Sequence, residues 1–432
     1  MAKSRHPLIA SLLSFRGNPR ITLFTDPLFS IPFNLITPFA ALYMRALGLS
    51  DPQIGLLSTI IIAIQMATSL FTGIAADKLG RRNCVFYFDI LTVFLPYVIY
   101  AVAQNFTYFL IASFLRGLSL FTSSACSLLM TEDARPGELV NYYNWVTISG
   151  LMAVFFTPIA GLLVWKLSLV PAIRIVYVFA AVCSIVKSFL LFFLGAETAQ
   201  GKRRMAESRG EPVWRMFVGY KDILRQVLHS PATLMAVAIM LVLYVTNLIS
   251  NNFFALYATE CLGVPEGYVT FFPMARSAIM LIFMFSVQPL LERMTLRRPM
   301  ALGFVLYLVA HAALLLCPVK HFLLLAVYIL LDAMSYALVY PRKDSMMVLF
   351  VNQRERARIQ SMMFTLSLAI SAPFGWIGGW LSSLGRTLPF LLNMGLFALA
   401  LLLVLASPYF KRSASDGVVQ EIQQSDPPSV SA

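Results

Sequence analysis

The sequence predicts an all-α membrane protein with twelve transmembrane helices arranged as two six-helix repeats. Three observations lead to this fold class: an excess of apolar residues, twelve apolar runs of spanning length, and matching residues in the two halves. Of the 432 residues, 59% are hydrophobic and only 12% are charged. Soluble domains average about 25% charged residues, so much of the surface of this chain is expected to face lipid.

Twelve apolar segments are long enough to cross a bilayer, which takes about 20 residues in a helix. Lipid offers no hydrogen-bond partners to backbone groups, so each segment is predicted to be helical. The predicted spans are 21–47, 53–76, 83–103, 105–130, 139–165, 170–195, 230–260, 267–291, 298–317, 321–343, 358–383 and 387–409.

The distribution of basic residues predicts the orientation of the chain in the cell membrane. With these spans, 25 of the 33 Lys and Arg residues fall on the side of the N-terminus and 4 on the opposite side. Both termini are therefore predicted to be cytoplasmic. The predicted regions are an N-terminal segment (1–20), a six-helix bundle (21–195), a linker with an amphipathic helix (196–229), a second six-helix bundle (230–410) and a disordered tail (411–432).

Charge and motif content argue against several other functions. The net charge of +13 comes from basic residues between apolar runs, so nucleic-acid binding is not expected. The five cysteines are single residues within apolar segments, without the spacing of metal ligands. The chain has no phosphate-binding loop and no metalloprotease or serine-hydrolase signature. We expect no metal, no cofactor and no enzymatic activity.

The two halves of the chain resemble each other at a nearly constant offset. The tripeptide Ala-Leu-Tyr occurs near the end of span one at 41–43 and near the end of span seven at 255–257. Because each half has an even number of spans, the halves have the same orientation and enclose a cleft at mid-membrane. Further matched positions are Asp77 with Glu292 and Pro158 with Pro373.

Between spans two and three the chain reads Gly-Ile-Ala-Ala-Asp-Lys-Leu-Gly-Arg-Arg. This resembles the signature loop of the major facilitator superfamily, with Ala75 in place of the usual leucine. Together with the twelve spans and the repeat, the resemblance covers the chain up to its tail. It implies two six-helix bundles around a central cavity. The candidate gating residues are Gly73, Asp77, Lys78, Gly80, Arg81 and Arg82.

The resemblance implies that this loop closes the cytoplasmic side. Asp77 would contact the start of span eleven, and Arg81 would pair with an acid at the end of span four. The second-half copy of the loop lacks both glycines, so the two locks are expected to differ in strength. A turn with basic residues and no gating role is the alternative. The candidate partners of the loop are Glu132, Asp133, Glu292 and Arg293.

Ionisable groups within a span cost about 2.5–3.5 kcal/mol, so each is a functional candidate. The resemblance implies that spans one, four, seven and ten line the cavity. Arg116 in span four and Asp332 in span ten occupy matching positions. They could bind a charged or zwitterionic solute, pair with each other, or each be satisfied within its own half.

Four further polar residues leave alternatives open. Asp26, followed by Pro27, either caps the first helix or, if the helix starts earlier, faces the cavity and carries a coupling proton. Asn247 and Asn251 in span seven could bind a polar solute or bend the helix near a gate. Arg276 in span eight could reach the cavity or a neighbouring helix.

Polar and helix-bending residues in the spans that do not line the cavity are expected to have structural roles. Asp89 and Lys187 are expected to be structural, with Lys187 extending to the cytoplasmic surface. Proline and glycine in spans five and eleven resemble a signature of drug antiporters, but the match is poor, because Thr157 replaces the glycine before the proline. Flexing of the helices explains these residues without antiport. The candidate flexing residues are Pro158, Gly161, Pro373 and Gly375.

The leading hypothesis is a secondary transporter that moves a small solute by alternating access, coupled to protons. Its expected partners are the solute, the proton and the lipid bilayer, and it is expected to be a monomer. The alternatives are a drug or metabolite efflux antiporter and a transporter-like sensor that signals through the central linker.

Overall fold

The apolar runs form helices, and the described residues contain no strand. The computed structural model describes residues 15–69, 71–132, 136–208, 225, 227–286, 296–349, 356–407 and 410. Within these residues, eleven helices are long and apolar enough to cross a membrane. The predicted eighth span is described only as far as Ser286, because residues 287–295 lie outside the described part.

Each predicted span corresponds to one helix, which we number from α1 to α12. The bounds are α1 Gly17–Ala46, α2 Asp51–Ser69, α3 Arg81–Ala101, α4 Phe106–Thr131, α5 Asn141–Leu167, α6 Leu169–Leu194, α7 Pro231–Glu260, α8 Phe271–Ser286, α9 Arg297–Leu315, α10 Phe322–Lys343, α11 Met362–Leu384 and α12 Leu388–Ala406.

Several of these helices are interrupted, extended or joined by short helices. α1 contains the 3-10 turn Thr37–Phe39, and α3 contains the π-helical segment Ile90–Phe94. Prolines lack the amide donor that a regular helix needs, and they occur within α1 at Pro32 and within α11 at Pro373. The remaining helical segments are Thr72–Leu79, Ala199–Glu207 and Glu266–Thr270, with extensions in Pro136–Val154, Phe322–Leu349 and Arg356–Leu384.

Large apolar side chains cover the outside of the helices. Trp165 is 79% exposed, Leu323 75% and Phe193 72%. Soluble proteins rarely expose apolar surface of this extent, whereas in a bilayer these side chains contact lipid. The fold is therefore that of a membrane protein.

The contacts divide the chain into two compact units. Unit 1 comprises Met1–Val218, Asn251–Met274 and Ala372–Leu384, and unit 2 comprises Gly219–Ser250, Ala275–Ser371 and Gly385–Ala432. Parts of α7, α8 and α11 thus pack with the first half of the chain. The bundle and linker boundaries predicted from the sequence stay a prediction.

The internal repeat extends to the backbone geometry of two loops. Gly48 follows α1 with φ of 86°, and Gly263 follows α7 with φ of 69°. Glycine adopts this left-handed conformation without the steric cost that a Cβ imposes. The two glycines follow the repeated Ala-Leu-Tyr tripeptide at distances that differ by one residue, so both helices are followed by a left-handed glycine.

Candidate functional site

The signature loop is built around a glycine turn. The helix Thr72–Leu79 ends at Gly80, whose φ is 84°, and α3 begins at the next residue. A Cβ on Gly80 would lie 2.8 Å from Oε2 of Glu197, so another residue would be strained and would also collide. The two carboxylate oxygens of Glu197 accept hydrogen bonds of 2.9 Å from the backbone N–H groups of Arg81 and Arg82. Glu197 therefore caps α3 at its positive end.

Arg81 is the centre of a buried ionic network in unit 1. Its side chain is 3% exposed, and Nη2 lies 2.9 Å from Oδ1 of Asp77 and 3.0 Å from Oε1 of Glu132. The second oxygen of Glu132 accepts a hydrogen bond from the hydroxyl of Thr198. Thr198 also caps the helix Ala199–Glu207. The network joins the signature loop, the end of α4 and the linker after α6.

The contact between Arg81 and Glu132 is the pairing that the resemblance implies, while its role in gating stays a prediction. The contact of Asp77 with the start of span eleven also stays a prediction. Gly73 lies within a helix, and among the described residues a Cβ there would meet nothing within 4 Å. The candidate partners that lie outside the described residues are Asp133, Glu292 and Arg293.

Glu197 and Thr198 are members of this network that the sequence analysis missed. A threonine just after an apolar span, followed by a polar stretch, is typical of a helix N-cap and could have indicated the helix that follows. The pairing of Glu197 with α3 had no comparable signal, because it depends on how the linker folds back.

Asp26 lies inside a helix and does not cap one. Its φ of −55° and ψ of −41° are helical, and its N–H donates to the carbonyl of Thr22 at 3.0 Å. The helix starts earlier, at Gly17, which excludes the capping alternative. That Asp26 faces the cavity and carries a proton stays a prediction. Oδ2 accepts hydrogen bonds from the hydroxyls of Ser30 at 2.6 Å and Ser149 at 2.7 Å. The carboxylate thereby links α1 to α5.

Arg116 lies beside a cluster of tyrosines in unit 1. Its guanidinium carbon is 5.8 Å from the ring centroid of Tyr97 on α3, and it also interacts electrostatically with Tyr100 and Tyr177. In the described part of the chain, no carboxylate lies within 4 Å of Arg116. The cation is thus held by aromatic rings, and its predicted role in binding solute stays a proposal.

A second polar cluster, the α8–α10 cluster, lies in unit 2. Nε of Arg276 is 3.3 Å from Oδ2 of Asp332, and the guanidinium lies over the ring of Tyr336 at 4.5 Å. Tyr336 stacks on Tyr340 with centroids 3.6 Å apart. The hydroxyl of Tyr340 accepts a hydrogen bond from Nδ2 of Asn247 at 3.1 Å. This cluster joins α7, α8 and α10.

The ion pair of the α8–α10 cluster shows how Asp332 is satisfied. Its partner Arg276 belongs to the same unit, as in the alternative in which each charge is satisfied within its own half. The side chains of Arg276 and Asp332 are 30% and 15% exposed. Both side chains are therefore only partly buried.

The polar residues of α7 divide between two environments. Asn247 belongs to the α8–α10 cluster, whereas Asn252 donates to the hydroxyl of Ser58 on α2 at 2.9 Å, within unit 1. Asn251 is exposed. Ser250 accepts a hydrogen bond of 3.3 Å from the buried Asn393 on α12.

On the side predicted to be extracellular, α2 and α11 touch through their backbones within unit 1. A Cβ on Gly55 would lie 2.2 Å from the carbonyl oxygen of Gly375. The hydroxyl of Thr59 donates to the carbonyl of Ala372 at 2.7 Å and accepts from the N–H of Trp376 at 2.9 Å. We call this contact the α2–α11 seal.

The candidate flexing residues lie close to such contacts. Pro158 is in the first turn of the helix Thr157–Leu167, and a Cβ on Gly161 would lie 2.4 Å from the carbonyl oxygen of Gly267. Pro373 and Gly375 belong to the part of α11 that forms the α2–α11 seal. Packing accounts for the two glycines, and helix flexing stays a prediction.

The expectation that Lys187 extends to the cytoplasmic surface is wrong. The residue is 9% exposed, and Nζ lies 3.2 Å from Oδ2 of the buried Asp89. The ammonium is thus paired with a carboxylate inside the bilayer instead of reaching water at the end of its aliphatic stem. The sequence places the two residues 98 positions apart on different helices, so no local pattern indicated the pair.

Comparisons with known proteins agree with this fold. The model of the MFS_1 like family matches residues 28–392. No curated protein sequence matches the chain. Among solved structures, a mutant of the peptide transporter POT in complex with alafosfalin is similar with a TM-score of 0.71 and 14% identity, covering 94% of this chain and 99% of that one.

Two other solved structures resemble the chain to a similar degree. The nucleoside transporter NupG has a TM-score of 0.70 and 13% identity, covering 94% of this chain and 100% of its own. A POT family transporter in complex with 5-aminolevulinic acid has a TM-score of 0.68 and 11% identity, covering 90% of this chain and 94% of its own. At such identities the likeness shows the fold, whereas the family match spans most of the sequence. The chain belongs to the MFS_1 like family.

Proposed function

We propose that the protein is a secondary transporter that carries a small zwitterionic solute across the cell membrane by alternating access, coupled to protons. The observation that carries this proposal is the partly buried ion pair Arg276–Asp332, which joins the apolar helices α8 and α10. Ionisable groups at such positions are costly and mark solute or ion pathways. The family membership and the fold support the same function.

The α8–α10 cluster offers complementary groups to a solute with a carboxylate and an amine. Arg276 contacts Asp332 through Nε, which carries one of the five N–H donors of the guanidinium group. The planar group can donate two parallel hydrogen bonds to a carboxylate. Asp332 can accept from an ammonium, and the Tyr336 ring adds an aromatic face. A bound zwitterion thus pairs its carboxylate with Arg276 and its ammonium with Asp332, in place of the ion pair between these two residues. Peptides and 5-aminolevulinic acid, named for two transporters of similar fold, carry both groups.

Arg116 in unit 1 is a separate candidate for binding an anionic group, because it is a cation within a membrane-spanning helix. It is half-buried beside tyrosines and has no carboxylate within 4 Å among the described residues, so its positive charge is available to an anionic group.

The α2–α11 seal supports alternating access. Gly55 and Gly375 let the backbones of α2 and α11 approach closely within unit 1, and the Thr59 hydroxyl bonds across the same contact. We propose that the seal opens when the solute is exchanged on the extracellular side. We also propose that the protein is a monomer with both termini in the cytoplasm. No observation favours the antiporter or sensor alternatives.

The test is a panel of solutes measured by thermal stabilisation of the purified protein in detergent. Dipeptides and 5-aminolevulinic acid should raise the melting temperature, whereas nucleosides and monocarboxylates should not. Loss of a charge-assisted hydrogen bond costs about 1.5–3 kcal/mol, so Arg276→Gln should weaken binding by about 10- to 150-fold. The matched control is Arg298→Gln, because Arg298 is exposed on α9 of the same unit.

The proposal would be refuted if no zwitterion stabilised the wild-type protein. It would also be refuted if Arg276→Gln bound the active solute as tightly as Arg298→Gln did.

A further inference from the structure

The second arginine of the signature loop, Arg82, carries a charge that the network of Arg81 does not use. Its backbone N–H donates to Glu197, whereas its side chain takes no part in the ion pairs of Asp77 and Glu132. Within the described residues, its Nε is buried without a hydrogen bond, and no carboxylate lies within 4 Å of its guanidinium. Buried polar atoms are nearly always paired, so this side chain calls for an explanation.

An aromatic ring at the end of α6 holds this guanidinium. The guanidinium carbon lies 4.8 Å from the ring centroid of Phe192. The same ring packs against Phe86 on α3, with centroids 4.4 Å apart. α3 begins at Arg81 and α6 ends at Leu194, so the contact lies at one end of both helices. Arg82 is thus fixed where the apolar helices meet the polar linker.

The surface around this contact faces lipid. Tyr87 on α3 and Phe193 and Leu194 on α6 are exposed, large and apolar. In a bilayer such side chains contact acyl chains, and aromatic residues are enriched at the level of the headgroups. The fixed cation therefore lies beside a lipid-covered surface, at the depth where lipid phosphates are expected.

Further cations follow on the linker helix Ala199–Glu207. One side of this helix faces the signature loop, because a Cβ on Gly201 would lie 3.0 Å from Cδ of Arg81. The remaining surface carries three exposed cations and one exposed carboxylate, which are Lys202, Arg203, Arg204 and Glu207. Glu207 pairs with both arginines. The exposed side of the linker helix thus keeps a net positive charge.

We propose that Arg82 binds the phosphate of an anionic phospholipid of the cytoplasmic leaflet, whose acyl chains lie along α3 and α6. A guanidinium can donate two parallel N–H groups to a phosphate. The linker cations attract a headgroup of net negative charge. This inference rests on the predicted cytoplasmic position of the signature loop and requires no particular solute.

The surroundings of Arg82 favour an anionic lipid over other phosphates. A soluble phosphate gains only the polar contacts, whereas a lipid also places its acyl chains against Tyr87 and Phe193. A zwitterionic lipid brings an ammonium, which the cations of the linker helix repel.

Lipid binding at Arg82 also has a consequence for the signature loop. Glu197 accepts the backbone N–H of Arg82 and directly precedes Thr198, which caps the linker helix. A phosphate that restrains Arg82 therefore stabilises the contact between the signature loop and the linker. Anionic lipid should accordingly raise the melting temperature of the purified protein.

The site can be tested by native mass spectrometry of the purified protein, titrated with phosphatidylglycerol or with phosphatidylcholine of the same acyl chains. Phosphatidylglycerol should bind the wild-type protein more tightly. Arg82→Gln should weaken its binding by about fivefold, the effect of one basic residue at an anionic surface, and should leave phosphatidylcholine unaffected. Arg82→Lys keeps the charge and should regain most of the lost affinity.

The matched control is Arg298→Gln, which removes an exposed cation at the start of α9. This variant should bind the first phosphatidylglycerol as tightly as the wild-type protein does. A second variant, with glutamine at the exposed positions 202, 203 and 204, should lose most of the preference for phosphatidylglycerol.

The inference is overturned if the wild-type protein binds both lipids equally, or if Arg82→Gln and Arg298→Gln weaken phosphatidylglycerol binding to the same extent. It is also overturned if inorganic phosphate displaces the lipid at equal concentration, which would assign the site to a soluble anion. If Arg82→Gln does not fold, the wild-type comparison and the linker variant still decide. The measurement involves no transport, so the lipid site and the proposed function can fail separately.

Discussion

Replacement of Gly55 by alanine is expected to favour the state in which the α2–α11 seal is open. A Cβ at this position would lie 2.2 Å from the carbonyl oxygen of Gly375 and 3.1 Å from the nitrogen of Gly379. Both are backbone atoms within α11, which cannot rotate away as a flexible side chain can. The two helices must therefore separate.

The magnitude follows from the cost of overpacking, which is about 1–3 kcal/mol. Only the closed state bears this cost, because the contact is absent when the helices part. The gain in helix propensity from glycine to alanine, about 1 kcal/mol, is the same in both states and cancels. The equilibrium should therefore shift by about 5- to 150-fold toward the open seal.

The assay is labelling of a single cysteine by a membrane-impermeant maleimide on intact cells, with the five native cysteines replaced. Asn252→Cys is a suitable reporter, because Asn252 bonds Ser58 near the seal. Labelling should accelerate in Gly55→Ala. Gly395→Ala is the control, since a Cβ on Gly395 would meet nothing within 4 Å. Equal labelling rates in the two variants would refute the reasoning.

Three further outcomes are expected. Glu197→Gln should lower the melting temperature of the purified protein, because the cap of α3 loses its charge. The control Glu207→Gln, on the exposed linker helix, should leave the melting temperature unchanged. Equal effects of the two substitutions would contradict the capping role. Asp77→Asn should impair transport at normal membrane insertion, measured by uptake and surface expression, and normal uptake would exclude a gating role. A cysteine at Lys202 should react with impermeant maleimide only after permeabilisation, and labelling of intact cells would place the linker on the other side of the membrane.

The sequence predicts the helices well, because the length and polarity of each apolar run are set by the bilayer. The ends of α1 and α7 are also predictable, since Gly48 and Gly263 recur after the same tripeptide. The pairing of Arg81 with Glu132 came from the resemblance, whose motif specifies both the loop and the helix end that it meets.

The polar clusters could be predicted only in part. Whether Asp332 meets Arg276 or another cation depends on the rotation of α8 against α10, which hydropathy does not encode. The same holds for Asp89 and Lys187 on α3 and α6, where the predicted position at the surface was wrong. For Asp26 the local pattern of aspartate followed by proline suited two structures equally, and the helical residues before it decided between them.

The most direct test of the account measures solute and proton movement together in liposomes that contain only the purified protein. An imposed pH gradient should drive accumulation of the zwitterion, and solute added without a gradient should move protons. Both should be lost in Asp332→Asn, which leaves Arg276 without its carboxylate. Protein-dependent solute flux that ignores the pH gradient and moves no protons would contradict the account.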